Sequence, residues 1–273
     1  MVRLGQNFLA DPNLLEAIVA DADLGADDVV LEVGGGEGAL TARLAGRVAH
    51  LHVIELDERL RGALSEVAAA EGSAEIDLVW GDAMRIDLGE LQPPPSRMVA
   101  NLPYAVATPL ILRTIAELPG LERWTVMVQR EIAERLRARP GTRSYGSPSV
   151  LVQLACEVRM LRAVDPAVFK PRPRVESAVL SLRRRGPAPE ESVRTRIRDC
   201  FAHRRKTLPR SLELAAKRRE QEAERAGLPA PRPRSSEVRH AAREALGRLG
   251  LPADARAQML TPDQHLALAK AIG

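Results

Sequence analysis

The chain has 273 residues, 45% of them hydrophobic but only 3% aromatic, with a formal net charge of +4 at pH 7. That length predicts one large domain plus a smaller one, with a core built from Leu, Val, Ile and Ala. No run of about eighteen apolar residues occurs, and the N-terminus lacks the apolar stretch and cleavage site of a signal peptide, so no membrane partner and a soluble, cytoplasmic protein are expected.

Cys156 and Cys200 share no metal-ligand spacing and suit a reducing compartment. Of the five histidines, only His50 and His52 lie close together, two apart in a predicted strand, and no metal site is expected. Residues 186–273 carry 18 Lys+Arg against 11 Asp+Glu, whereas residues 1–185 carry 22 against 25. A basic appendage on a mildly acidic body points to a polyanionic partner.

In chain order, "DPNLLEAIVADADL" spaces Leu14, Leu15, Ile18 and Val19 as a helix, with Asp11 as N-cap and Pro12 in the first turn. "DVVLEV", the turn "GGGEG", "ALTARLAGR" and "HLHVIELD" read as strand, turn, helix, strand, a βαβ unit. A helix over 58–70, the strand "IDLVW", the loop "LQPPPS", the strand "RMVAN", the helix "TPLILRTIAEL" and the strand "RWTVMVQ" continue the alternation. The helix "REIAERLRA" follows, and "VLVQLACEVRMLRAV" and "SAVLSLRRR" read as antiparallel strands closing the sheet. Pro148 interrupts a stretch otherwise helical in pattern. The fold class is α/β with a mostly parallel, Rossmann-like sheet. After the linker "RGPAPEE" the remaining chain is polar and amphipathic, predicting a small all-helical domain. The expected domains are therefore 1–185 and 186–273.

"LEVGGGEGAL" places Gly34, Gly36 and Ala39 at a nucleotide-binding spacing between a strand and a helix. The glycines allow a tight turn and close approach of a ligand to the backbone. Glu55, ending the next strand, supplies an acceptor for two ribose hydroxyls. NAD and S-adenosylmethionine share that ribose, so these features alone do not choose between them. Asp82, just after the third strand, adds an acceptor for an adenine amine at the same crevice.

The choice falls on "NLPY" at 101–104, which dehydrogenase chemistry does not require. An adenine amine is a poor nucleophile, because its lone pair is delocalised into the ring. Acceptors for its two N–H bonds favour a pyramidal nitrogen. Asn101 offers a side-chain carbonyl and Leu102 a backbone one. Pro103 stiffens the loop, and Tyr104 offers a stacking face worth about 1–3 kcal/mol per base. In-line displacement at a sulfonium needs positioning more than a strong base, and neutral Asn101 suits that role.

With "GQNFL" (5–9), "LEVGGGEGALT" (31–41), "IELD" (54–57), "GDA" (81–83), "NLPY" (101–104), "VMVQREIAERL" (126–136), "YGSPSV" (145–150), "FKPRPRVESAV" (169–179) and "FAHRRKTL" (201–208), the chain resembles the KsgA family of small-subunit ribosomal RNA adenine dimethyltransferases. The resemblance spans nearly the whole chain. It implies a class I S-adenosylmethionine-dependent fold. Asn7, Leu9, Gly34, Gly36, Glu55, Asp82 and Asn101 would contact the cofactor, and Asn101, Leu102, Pro103, Tyr104 and Phe169 would surround the target base, Phe169 opposing Tyr104 across a slot for one flipped-out base. Phe201 is expected in the core. Arg204, Arg205, Lys206 and Arg210, on an expected helix, with Arg172 and Arg174, would meet RNA phosphates. The implied target is a pair of adjacent adenosines in the hairpin loop near the 3′ end of small-subunit rRNA, each methylated twice. The implied partner is the immature small ribosomal subunit, met by a monomer.

Two departures stand out. Gly35 replaces the proline usual in the family's glycine turn, which should loosen that loop, and only Arg3 remains of the basic lead-in before "GQNFL". The rivals are a large-subunit rRNA adenine dimethyltransferase of the macrolide-resistance type, which typically carries N-I-P-Y, a non-catalytic ribosome assembly factor, and an NAD-dependent dehydrogenase.

Overall fold

The computed structural model describes residues 7–70, 74–229 and 233–272. Arg3, Gly5 and Gln6 therefore lie outside the described residues. The first elements are a short strand β1 (Phe8–Leu9) and helix α1 (Pro12–Asp21). Asp11 caps α1 by accepting the Leu14 N–H at 2.8 Å, with Pro12 in the first turn as its sequence dictates.

Alternation then follows the expected order. It runs β2 (Val29–Val33), α2 (Thr41–Ala45), β3 (His50–Glu55), α3 (Arg61–Ala68), β4 (Glu75–Trp80), β5 (Arg97–Asn101), α4 (Ala107–Glu117), β6 (Arg123–Gln129) and α5 (Arg130–Leu136). Next come α6 (Ser147–Ala155), β7 (Cys156–Val164), β8 (Phe169–Lys170) and β9 (Ser177–Arg184). Four helices complete the described chain: α7 (Glu191–Ala202), α8 (Leu208–Arg225), α9 (Ser235–Arg248) and α10 (Pro262–Ile272).

Seven strands form one sheet in the order β4-β3-β2-β5-β6-β9-β7. The first five are parallel, and β9 is antiparallel to both β6 and β7. Strand β3 is buried along its whole length and β6 over its five middle residues, as strands covered on both faces are, although β3 carries His50, His52 and Glu55 among its apolar residues. Strand order reverses between β2 and β5, so the crevice beyond their carboxyl ends is the place where an open α/β sheet binds ligands. The short strands β1 and β8 pair separately, Leu9 opposite Phe169. Under the sheet, Leu15, Ile18, Leu44, Leu51, Leu64, Val99 and Val179 share one core cluster.

Two compact units emerge. The first holds the described residues up to Glu134 together with Cys156–Pro187, and the second holds Arg135–Ala155 with the described residues from Ala188. The chain passes from the first unit to the second after Pro187, and residues 135–155 group with the helical unit. The reason is packing: α6 lies on α7 and α10, and the buried Tyr145 donates its hydroxyl to the Leu260 carbonyl at 2.9 Å.

The same segment corrects the strand expected over 150–164. Val150–Ala155 is helical and only Cys156–Val164 is extended, because a short apolar run fits a buried helix as well as a strand. Pro148 is the second residue of α6, where the helix needs no N–H from it, so it starts the helix instead of interrupting one.

In the second unit, α8 buries Leu208, Leu212, Ala215 and Ala216, one helical face. Of these, Leu208, Leu212 and Ala216 join Cys200, Val238, Ala242, Leu246, Leu260 and Leu268 in a core against which Phe201 packs, as expected. Among the described residues no helix is long and apolar enough to cross a membrane.

Candidate active site

The glycine turn leaves β2 at the switch point. Gly34 and Gly36 have φ of +83° and +60°, the left-handed region that favours glycine. A Cβ on Gly34 would meet the Asn101 carbonyl oxygen at 3.5 Å and Pro103 Cδ at 3.6 Å, and one on Gly36 would meet Phe8 Cδ1 at 3.2 Å. The turn is therefore threaded closely between β1 and the loop after β5. Gly35 is not loose either, since its Cβ would fall 2.5 Å from Val53 Cγ1 and 3.1 Å from Leu64 Cδ2.

Glu55 fastens the turn from the neighbouring strand. Its Oε2 accepts the Gly36 N–H at 2.9 Å and its Oε1 the Asp57 N–H at 2.8 Å. Each carboxylate oxygen keeps further acceptor capacity for a ligand diol. Beneath the turn, the fully buried Glu32 accepts the Thr41 hydroxyl at 2.7 Å, tying β2 to the start of α2. Burial, opposed by that hydrogen bond and reinforced by Glu55, pushes the Glu32 carboxyl up to about 8.

A cleft of about 500 Å³ opens here, lined chiefly by Asn7, Gly34, Gly36, Glu55, Asn101, Tyr104 and Gln129, with Leu102 and Pro103 also on its wall. That volume suits a small organic ligand. Glycines at positive φ, a diol acceptor and a stiff acceptor loop fit an adenosine-bearing cofactor. Asn101 ends β5 and donates from Nδ2 to the Asn7 carbonyl at 3.4 Å, which orients its amide and leaves Oδ1 as an acceptor. Leu102 is held by its N–H to the Met127 carbonyl at 3.0 Å. Tyr104 is half-buried, with its hydroxyl 2.6 Å from Ser177 Oγ. Burial raises its pKa, against that hydrogen bond, so the phenol stays neutral.

Three expected residues stand apart from the lining. Asp82 lies just past the end of β4, with Trp80 opposite Glu55 and the Gly81 N–H on the Glu55 carbonyl. Its Oδ1 accepts the Met84 N–H at 2.9 Å, so it edges the crevice without lining the cleft. Leu9 is 7% exposed and belongs to the core. Phe169 is 2% exposed, pairs through β8 with Leu9, and shares the core with Val164 and Val179.

Sequence reasoning missed other residues. Gln129 ends β6 beside Asn101's strand, and its one signal in the sequence is its place in "VMVQREIAERL" (126–136). Ser177, fully buried, anchors Tyr104. Arg113 on α4 donates to the Ala83 and Ile86 carbonyls at 2.5 and 2.6 Å, pinning the loop that bears Asp82.

The basic residues are partly redistributed. Arg204, Arg205 and Lys206 lie in the turn between α7 and α8, not on a helix, because α7 stops at Ala202 and α8 restarts with Pro209 in its first turn. Arg204 donates to the Thr142 carbonyl at 3.1 Å, and Arg210, on α8, to Glu213 at 2.9 Å. Arg205, Lys206, Arg172 and Arg174 are exposed, Arg172 lying 3.7 Å from Asp165.

Comparison with known proteins agrees with this geometry. The ribosomal RNA adenine dimethylase family matches residues 2–230. A Rubrobacter xylanophilus protein named ribosomal RNA small subunit methyltransferase A is 43% identical over 272 residues, 99% of this chain and 94% of that protein. Its namesake from Thermobifida fusca is 45% identical over 218 residues, 77% and 75% of the two chains. Among solved structures, a dimethyladenosine transferase from Plasmodium falciparum superposes with a TM-score of 0.75 at 25% identity, covering 96% of this chain and 95% of that one. The 23S rRNA methyltransferase ErmE gives 0.64 at 29% identity, covering 97% and 99%.

Proposed function

The chain belongs to the ribosomal RNA adenine dimethylase family, and from that premise we propose that it transfers methyl groups from S-adenosylmethionine to N6 of two adjacent adenosines in the 3′-terminal hairpin loop of small-subunit rRNA. One observation carries the reading. Gly34 lies against the Asn101 carbonyl and Pro103, so a cofactor held on the glycine turn and an amine held by the N-L-P-Y loop share one cleft.

When bound, S-adenosylmethionine supplies a methyl group on a sulfonium, an activated centre for in-line displacement. Glu55 holds the ribose hydroxyls, Asp82 accepts from the cofactor's adenine amine at the crevice edge, and Asn7 closes the site while Leu9 anchors it in the core. Asn101 Oδ1 and the Leu102 carbonyl accept the two N–H bonds of the target amine, which directs its lone pair out of the ring plane. Tyr104, tied to Ser177, offers the stacking face. Asn101 is neutral and takes no proton, so the amine loses its proton to solvent after transfer. The work is positioning.

The 1–185 region in this reading is the catalytic domain, lacking 135–155, and the basic helical unit docks RNA. Arg172, Arg174, Arg205 and Lys206 meet phosphates directly, while Arg204 and Arg210 join them by exchanging their present partners. The enzyme works as a monomer on the immature small subunit in the cytoplasm.

The likeness to ErmE favours a second reading, an adenine of large-subunit rRNA. Incubation with labelled S-adenosylmethionine and unmethylated small or large subunits, followed by mapping of the labelled base, decides. Label on two adjacent adenines of the small-subunit loop is expected. Label confined to large-subunit rRNA overturns the choice of substrate, and binding without label would leave a non-catalytic assembly factor.

A further inference from the structure

At the opposite end of β3 from Glu55, His50 and His52 face the same side of the strand, as alternate residues must. The parallel strand β4 sets Glu75 opposite His50 and Asp77 opposite His52. Both imidazoles are buried, at 5% and 1% exposure, while the Asp77 side chain is half exposed. His50 Nε2 lies 2.8 Å from Asp77 Oδ2, and His52 Nδ1 lies 3.3 Å from the same oxygen. One ligand atom from each of the three residues falls within 4.8 Å of the others.

The tautomer of His52 gives the cluster its meaning. Its Nε2 is 2.8 Å from the Pro93 carbonyl oxygen, which can only accept, so Nε2 carries the proton and the neutral ring has its lone pair on Nδ1. That Nδ1 is buried and makes no hydrogen bond. It faces a carboxylate oxygen, one acceptor against another, an arrangement that a cation between them relieves. His50 is placed to match: with Nε2 turned to a metal, its Nδ1–H points to Glu75 Oε2, 3.5 Å away. Metal-bound histidines ordinarily have such a carbonyl or carboxylate on the other ring nitrogen.

Spacing alone suggested no metal because the sequence shows only two of the ligands together. We propose that His50 Nε2, His52 Nδ1 and the Asp77 carboxylate form a site for a Zn²⁺-class divalent ion, with water in the fourth position, clamping edge strand β4 to β3. Two imidazoles and one carboxylate select Zn²⁺ or Co²⁺ over Mg²⁺ and Ca²⁺. Tetrahedral bonds of about 2.0–2.2 Å separate ligand atoms by roughly 3.3–3.5 Å. The His52–Asp77 separation already has that value. The shorter His50–Asp77 contact opens by rotation of the exposed Asp77 side chain.

The test uses untagged full-length protein freed of metal by chelation. Co²⁺ titration should give visible d–d bands of tetrahedral intensity saturating at one ion per chain, displaced by Zn²⁺, with a rise in Tm. His52→Gln and Asp77→Asn should each weaken binding by at least about tenfold. Asp77→Asn changes an exposed side chain, so it keeps the test decisive where the buried His52 variant fails to fold. Absence of tetrahedral bands, or undiminished binding in Asp77→Asn, overturns the site. Bands with strong thiolate charge transfer would place the ion on cysteine and overturn it equally.

Discussion

Replacing Glu32 with Gln tests the electrostatics beneath the glycine turn. Glu32 is 1% exposed, and its carboxyl is pushed from 4.5 up to about 8 by burial, in spite of the Thr41 hydroxyl, with Glu55 adding to the rise. A carboxyl raised on folding contributes its full stability below pH 4.5, where it is protonated in both states. As pH rises, the unfolded chain ionises first, and stability falls by about 1.4 kcal/mol per pH unit until the folded carboxyl ionises near pH 8. Between pH 6 and pH 8 the loss is on the order of 2–3 kcal/mol. Gln cannot ionise, and its carbonyl can still accept from Thr41. Its extra buried N–H lowers stability by about 1–3 kcal/mol if unpaired, but equally at every pH, so the difference between the two pH profiles isolates Glu32. Both tryptophans, Trp80 and Trp124, belong to the unit that holds Glu32. Urea denaturation followed by tryptophan fluorescence therefore reads the relevant unfolding. Wild type should lose stability from pH 6 to pH 9 more steeply than Glu32→Gln by on the order of 2–3 kcal/mol. Parallel profiles would mean that Glu32 is already ionised in the folded protein and would falsify the argument.

Asn101→Ala should lower kcat by about a hundredfold or more, as loss of a positioned acceptor predicts, with RNA affinity nearly unchanged in a filter-binding assay. Normal single-turnover rates would remove Asn101 from the reaction. Tyr104→Ala should weaken RNA binding by about 1–3 kcal/mol, whereas Tyr104→Phe, which loses only the Ser177 contact, should retain most of the affinity; equal losses would argue against stacking. Tyr145→Phe leaves the Leu260 carbonyl, itself buried, without its donor and should destabilise the helical unit by about 1–3 kcal/mol. Far-UV circular dichroism reads that transition, and an unshifted midpoint would count against it.

Much of the site was legible because backbone geometry wrote it into the residue types. Positive φ at Gly34 and Gly36 demands glycine, a Cβ on Gly36 would also press on the Phe8 ring at 3.2 Å, and a strand-end acid holds the turn. Local patterns of this kind survive without knowledge of partners. The failures fall where one residue type has two uses or where the partner is distant in sequence. Val150–Ala155 is apolar enough for strand or buried helix, and only its packing on α7 and α10 decides. Distance in sequence likewise hides Asp77, which only the register of β4 brings alongside His50 and His52.

Phe169 begins a segment whose two ends have different surroundings, one in the core and one at the cleft. A phenylalanine near a base slot suggests stacking, yet burial is the commoner fate of the ring, and β8 carries it under Leu9 into the core. The same motif nevertheless reaches the cleft through Ser177, whose hydroxyl lies 2.6 Å from that of Tyr104. Pairing of β9 with β6 sets Ser177 opposite Gln129, which also lines the cleft. The segment from Phe169 to Ser177 thus acts at both ends: its apolar start anchors β1, which carries Phe8 against Gly36, and its polar end fixes the ring of Tyr104. Substituting Ser177 should therefore disturb the base side of the cleft, and substituting Phe169 the cofactor side.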